Sequence, residues 1–232
     1  MKLVILIYLK VELMKNKLFN STNKSLWHDY ILSKLTSKLT HTLVLEDNTL
    51  PYRWLEPIGK EALSFDRLLK TNRIKEDQLI GIDNYPGREN DSLLNVLFCK
   101  DKFNRAIFIN DYWADYCNYE APNDIGYIIH DLYDSIYGKT FEKNLKATVR
   151  LVDRCYDNIG EVFLVINVDY DASNRYGKRN DINDFLNIIK KTFRNETNHL
   201  NLKNINITSN QIYKYKQSYN SDKMISAHII CH

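Results

Sequence analysis

The apolar positions of this chain follow two rhythms. One is a set of short continuous runs at residues 42–46, 79–82, 106–109, 125–129 and 162–168. Such runs, rich in β-branched and aromatic side chains, predict buried strands. The other is a spacing of three and four residues, which predicts amphipathic helices. It aligns Leu26, Tyr30, Ile31, Leu35 and Leu39 on one face, and Ala62, Phe65, Leu68 and Leu69 on another. Leu145, Thr148, Val149, Val152 and Tyr156 form a third face, and Phe185, Leu186, Ile189 and Phe193 a fourth. Residues 93–99, where apolar side chains crowd together, predict one more short helix. Residues 202–208 and 224–230 predict the last two strands, with residues 212–216 extending a hairpin between them. Alternation of strand and helix predicts a parallel sheet. The closing pair has too short a link for a parallel crossover and predicts an antiparallel hairpin.

The strand runs end alike. Residues 79–82 run into Asp83 and Asn84, and 106–109 into Asn110 and Asp111. Residues 125–129 run into His130, Asp131, Tyr133 and Asp134, and 162–168 into Asp169, Tyr170 and Asp171. In an open α/β sheet, ligands bind outside the carboxyl ends of the strands. The repeated acid or amide therefore predicts one polar rim on one sheet, with the function located there.

Composition narrows the class. The 232 residues are 44% hydrophobic, enough for one sizeable core, and no linker or repeat divides them. Residues 1–25 are expected to be an N-terminal extension and residues 26–232 a single domain. The net charge of +3 is too small to argue for a nucleic-acid partner and does not exclude one. Cys99, Cys117, Cys155 and Cys231 form neither a CxxC pair nor a zinc-like cluster, so they read as reduced core thiols of a cytoplasmic protein. The apolar run at residues 3–9 is too short to span a bilayer, and no membrane partner is expected. The richness in Asn, Lys, Ile and Tyr matches an AT-rich genome, a viral one among them.

The element order and strand-end residues together resemble the Rossmann-like fold of S-adenosylmethionine-dependent methyltransferases over residues 26–232. That resemblance implies a single three-layer α/β domain. Its mostly parallel sheet has about seven strands and ends in an antiparallel hairpin, with the last strand inserted between the fifth and sixth. It implies S-adenosylmethionine as cofactor. Asp83 and Asn84 fall where the family holds the ribose hydroxyls, Asn110 and Asp111 near the adenine, and Glu46 and Asp47 at the acidic end of the first strand. His130, Asp131 and Tyr133 occupy the motif facing the methyl acceptor, for which nucleic acid is one class. The family's Gly-rich loop after the first strand has no counterpart here, since no glycine lies between His41 and Ile58.

Other readings use the same residues. A carboxylate or imidazole beside the acceptor can take its proton, but His130 also fits a satisfied strand-end histidine and Asp131 a turn cap. Asp83 fits an Asx turn before Pro86. Tyr112 and Trp113 suit an adenine pocket or ordinary packing. The Asp169-x-Asp171 pair resembles the DxD motif of metal-dependent nucleotide-sugar glycosyltransferases, because hard cations take carboxylate oxygens. A non-catalytic Rossmann-like binding protein is the third alternative.

Overall fold

A computed structural model describes residues 31, 49–58, 62–84, 89–131, 135–169, 181–198, 200, 212–216 and 223–231. Its strands are β1 (Arg53–Pro57), β2 (Leu79–Ile82), β3 (Ile107–Ile109), β4 (Ile125–Asp131), β5 (Val162–Asp169), β6 (Ile212–Lys216) and β7 (Lys223–Cys231). Its helices are α1 (Leu63–Lys70), α2 (Glu89–Lys102), α3 (Trp113–Tyr119), α4 (Lys139–Ile159) and α5 (Ile182–Glu196). The seven strands form one sheet in the order β3-β2-β1-β4-β5-β7-β6. The first five pair in parallel, and β7 runs against both β5 and β6. This is the expected Rossmann-like sheet, with its last strand inserted between the fifth and sixth.

The fully buried runs formed strands where expected, because a strand covered on both faces needs apolar side chains at every position. All seven residues of β4 are buried. Leu55, Ile80, Ile128, Leu164 and Ile166 face α3, α4 and α5. Trp54, Leu79, Tyr127, Ile129, Phe163 and Val165 face the opposite layer, with Phe65 and Leu68 of α1, Val96 and Cys99 of α2, and the helical Ile31. Trp54 and Tyr127 stack there at 5.7 Å between ring centroids. Asp153, buried in α4, accepts from the amides of Asn198 at 2.9 Å and Leu200 at 3.0 Å, fixing the chain just past α5.

Four elements differ from expectation. The strand between β2 and β4 is Arg53–Pro57, a segment whose Arg, Glu and Pro read as loop; the expected first strand at residues 42–46 lies outside the described residues. Helix α2 extends four residues before and three beyond the crowded stretch at 93–99. Helix α3 was not expected: its seven residues are too few to show a clear helical period. The expected strand at residues 202–208 lies outside the described residues, and the strand paired with β7 is Ile212–Lys216.

Candidate active site

The strand order reverses between β1 and β4, since β2 and β3 extend to one side and β5 to the other. A crevice opens at such a switch point, past the carboxyl ends of the strands. Backbone hydrogen bonds hold the strand ends on the β3 side together. The amide of Ile58 donates to the carbonyl of Ile82 at 2.9 Å, and that of Asp83 to Ile109 at 3.1 Å. The exits of β1, β2 and β3 therefore form one continuous edge, which brings Asp83 and Asn84 next to Asn110 and Asp111.

Side chains alternate between faces along a strand. Glu56 follows Trp54 onto the α1 and α2 face, Asp83 follows Leu79 and Gly81, and Asp131 follows Tyr127 and Ile129. Three buried carboxylates from the adjacent strands β2, β1 and β4 thus share one face, at 9%, 2% and 6% exposure. Asp83 is oriented from α2: Oδ1 accepts from Ser92 Oγ at 3.1 Å, and Oδ2 from Asn95 Nδ2 at 2.9 Å. Each carboxylate oxygen has lone-pair capacity for a further hydrogen bond. Glu56 Oε2 accepts from Trp54 Nε1 at 2.9 Å. Asn84, half-buried beside Asp83, has an Oδ1 with no hydrogen-bond partner among the described residues.

The connection from β1 to α1 contains Gly59 in sequence. With the strand at Arg53–Pro57, this one glycine follows β1 in sequence. Ala62, where α1 begins, takes the left-handed conformation at φ 42° and ψ 48°. That costs a residue with a Cβ about 1–2 kcal/mol, and such strained positions collect at ligand sites.

His130 and Asp131 do not face one site. His130 points to the other layer, fully buried between Trp113 and Phe141, with Nδ1 2.7 Å from Thr148 Oγ1. Burial drives its pKa down to about 3, against a smaller opposing pull from Asp131. The imidazole is neutral and belongs to the core, which corrects its expected place at the acceptor. Trp113 is likewise buried, its Nε1 donating to Thr148 Oγ1 at 2.8 Å, so the adenine-pocket reading fits Tyr112 alone. Asn110 is exposed and Asp111 half-buried, with Asp111 Oδ1 accepting from the Tyr112 amide at 2.7 Å at the start of α3. Glu46, Asp47, Tyr133, Asp134 and Asp171 lie outside the described residues; Asp169 ends β5 opposite Met224.

Two residues of this edge escaped the sequence reading. Glu56 was missed with its strand, although an acid three residues before Gly59 was a usable signal. Asn167 stands in register with Asp131 on β4 and Ser226 on β7. It is fully buried, and neither its Oδ1 nor its Nδ2 has a partner among the described residues. An amide inside an apolar strand was the signal for it.

No family model matches the sequence, and no curated protein does. Solved structures similar to this chain include a protein of Clostridium thermocellum assigned as an rRNA methylase, at 12% identity and TM-score 0.48, covering 90% of this chain and 97% of that one. TYW2 of M. jannaschii in complex with AdoMet is similar at 12% identity and TM-score 0.46, covering 85% and 78%. Magnesium protoporphyrin IX methyltransferase of Synechocystis PCC 6803 with bound SAM is similar at 11% identity and TM-score 0.46, covering 93% and 86%. No helix among the described residues is long and apolar enough to cross a membrane.

Proposed function

We propose that this chain is an S-adenosylmethionine-dependent methyltransferase whose cofactor lies across the exits of β1, β2 and β3. The observation that carries the reading is the alignment of Glu56, Asp83 and Asp131 on one face of three adjacent strands at the switch point. The residues fit the group. A sulfonium cofactor with an ammonium and a ribose diol calls for carboxylates, and an amide with an open acceptor suits its hydroxyls. Asp83 takes the ribose diol, presented by Ser92 and Asn95. Asn84 adds its Oδ1 beside it. Glu56 faces the cationic end of the cofactor from β1. Asn110, Asp111 and Tyr112 border the adenine. When bound, the cofactor supplies an activated methyl group, so the protein mainly has to align donor and acceptor.

On the acceptor side, Asp131 takes the role of proton acceptor, with Asn167 beside it to hold a polar group of the substrate. His130 has no part in this step. Tyr133, just past β4, stays a candidate acceptor contact. Nucleic acid is one acceptor class to assay, by transfer of a labelled methyl group to RNA and DNA.

Calorimetric titration with S-adenosylhomocysteine tests the reading. Wild type should bind, and Glu56→Gln should bind more weakly while keeping its fold. No binding by folded wild type would overturn it.

A further inference from the structure

Helix α2 carries apolar side chains on two opposite faces. Val96 and Cys99 are buried against the sheet, with Ser92 between them and the first turn. On the far side, Leu93, Leu94, Leu97 and Phe98 are 43%, 63%, 52% and 52% exposed. These four fall within about 140° of arc at 100° per residue, centred opposite the buried stripe. A surface helix ordinarily pairs an apolar stripe with a polar face, and large contiguous apolar patches mark interaction sites.

We infer that this face is where two copies of the chain associate, through an antiparallel pair of α2 helices. The sequence of α2 is self-complementary about a two-fold axis between Asn95 and Val96. Around that axis Leu94 of one copy meets Leu97 of the other at the centre, with Leu93 and Phe98 on the two flanks of that contact. The ends carry opposite charge, with Glu89 and Asp91 in the first turn and Lys100 and Lys102 in the last. Glu89 and Lys100 lie on one flank of the apolar face, and Asp91 and Lys102 on the other. An antiparallel pair therefore sets Glu89 of each copy against Lys100 of the other; a parallel pair would oppose like charges. Lys102 also pairs with Asp66 of α1.

Tyr112, 36% exposed, widens the patch on that flank, its hydroxyl 3.4 Å from Glu89 Oε1. Three acids, Glu89, Asp91 and Asp101, and two bases, Lys100 and Lys102, suit a second copy better than a lipid surface, which selects an excess of Lys and Arg. A helix of this length spans about 21 Å. One such pair lies near the low end of the ~1,200 Å² that specific interfaces bury, so the dimer should exchange with monomer.

Sedimentation equilibrium of the full chain from about 1 to about 200 µM, the range of weak specific association, tests this. The mass should rise from 27.5 kDa towards twice that value. Leu94→Glu should weaken association on the order of tenfold or more, as expected for a central contact, with an unchanged circular dichroism melt. Glu89→Lys and Lys100→Glu should each weaken it, and the double variant should restore it. A wild type that stays monomeric throughout, or monomeric while cosedimenting with lipid vesicles, would overturn the proposal. So would a dimer indifferent to Leu94→Glu, or a double variant weaker than both single ones. Binding of S-adenosylhomocysteine should not change in Leu94→Glu, so this outcome is independent of the cofactor reading.

Discussion

Thr148 Oγ1 lies 2.7 Å from His130 Nδ1, and that contact fixes the tautomer of the imidazole. Thr148 donates its hydroxyl proton to the carbonyl of Asn144 at 2.8 Å and accepts from Trp113 Nε1 at 2.8 Å. Its remaining lone pair accepts from His130, which therefore carries its proton on Nδ1. Charging this ring would put an unpaired cation in the core.

A pH dependence of stability follows. The folded pKa is about 3 against an ordinary 6.5, so between these values the unfolded chain binds the extra proton. The contribution of neutral His130 is complete above pH 6.5 and is lost as pH falls towards 3, by up to about 1.4 kcal/mol per unit. In urea titrations, the stability gap between wild type and His130→Asn should narrow by about 2 kcal/mol from pH 7.5 to pH 5. A gap independent of pH would mean that the ring titrates alike in both states.

In the proposed reading, Asp83 serves α2 and the cofactor at once. Asp83→Ala removes the acceptor for Ser92 and Asn95, and should cost about 1–3 kcal/mol of stability. It should also weaken S-adenosylhomocysteine binding by about 1–3 kcal/mol, the value of a charged acceptor. Calorimetry on the folded variant separates the two roles. Lower stability with unchanged affinity would leave Asp83 a support for α2 alone.

Gly81 matters for lack of a side chain. A Cβ there would stand 2.6 Å from Ile58 Cγ2 and 3.0 Å from Phe108 Cδ1. Gly81→Ala should cost about 1–3 kcal/mol by overpacking. Ile58 starts the connection after β1, so cofactor-analogue affinity should fall as well. Gly160→Ala is the control. Its φ of 79° strains any Cβ, but nothing lies within 4 Å. It should cost about 1 kcal/mol and leave binding unchanged. Chemical denaturation alongside calorimetry measures both quantities.

Thiol reactivity should report unfolding. Cys99, Cys117, Cys155 and Cys231 are all buried thiols outside any disulfide. Burial raises the pKa of Cys117 and Cys231 and pushes Cys155 up to about 12, so the reactive thiolate is scarce. A thiol reagent should titrate no group rapidly in native protein and all of them in denaturant. A fast-reacting native thiol would contradict this packing.

What was legible in the sequence follows from where a residue's environment is local. Strands β2, β4 and β5 are covered on both faces, so their continuous apolar runs announced them, and the acids and amides at their ends announced the rim. Helices α4 and α5 run long enough to show a 3.6-residue period. Strand β1 was not legible. Arg53, Glu56 and Pro57 disfavour a strand locally, and the segment is extended because β2 and β4 on either side satisfy its backbone. Glu56 and the place of Gly59 were hidden with it.

By itself, then, the chain determined the buried apolar runs, the alternation of strand and helix, and the acids and amides that close β2, β3, β4 and β5. Those are properties of consecutive residues. Only the tertiary structure decided which of two neighbours joins the carboxylate face and which the core. His130 and Asp131 differ by one position, and alternation sends one under α4 and the other to the face that carries Glu56 and Asp83. Which face holds a core and which a site depends on the helices that cover it. That covering is set by packing between segments far apart in the chain.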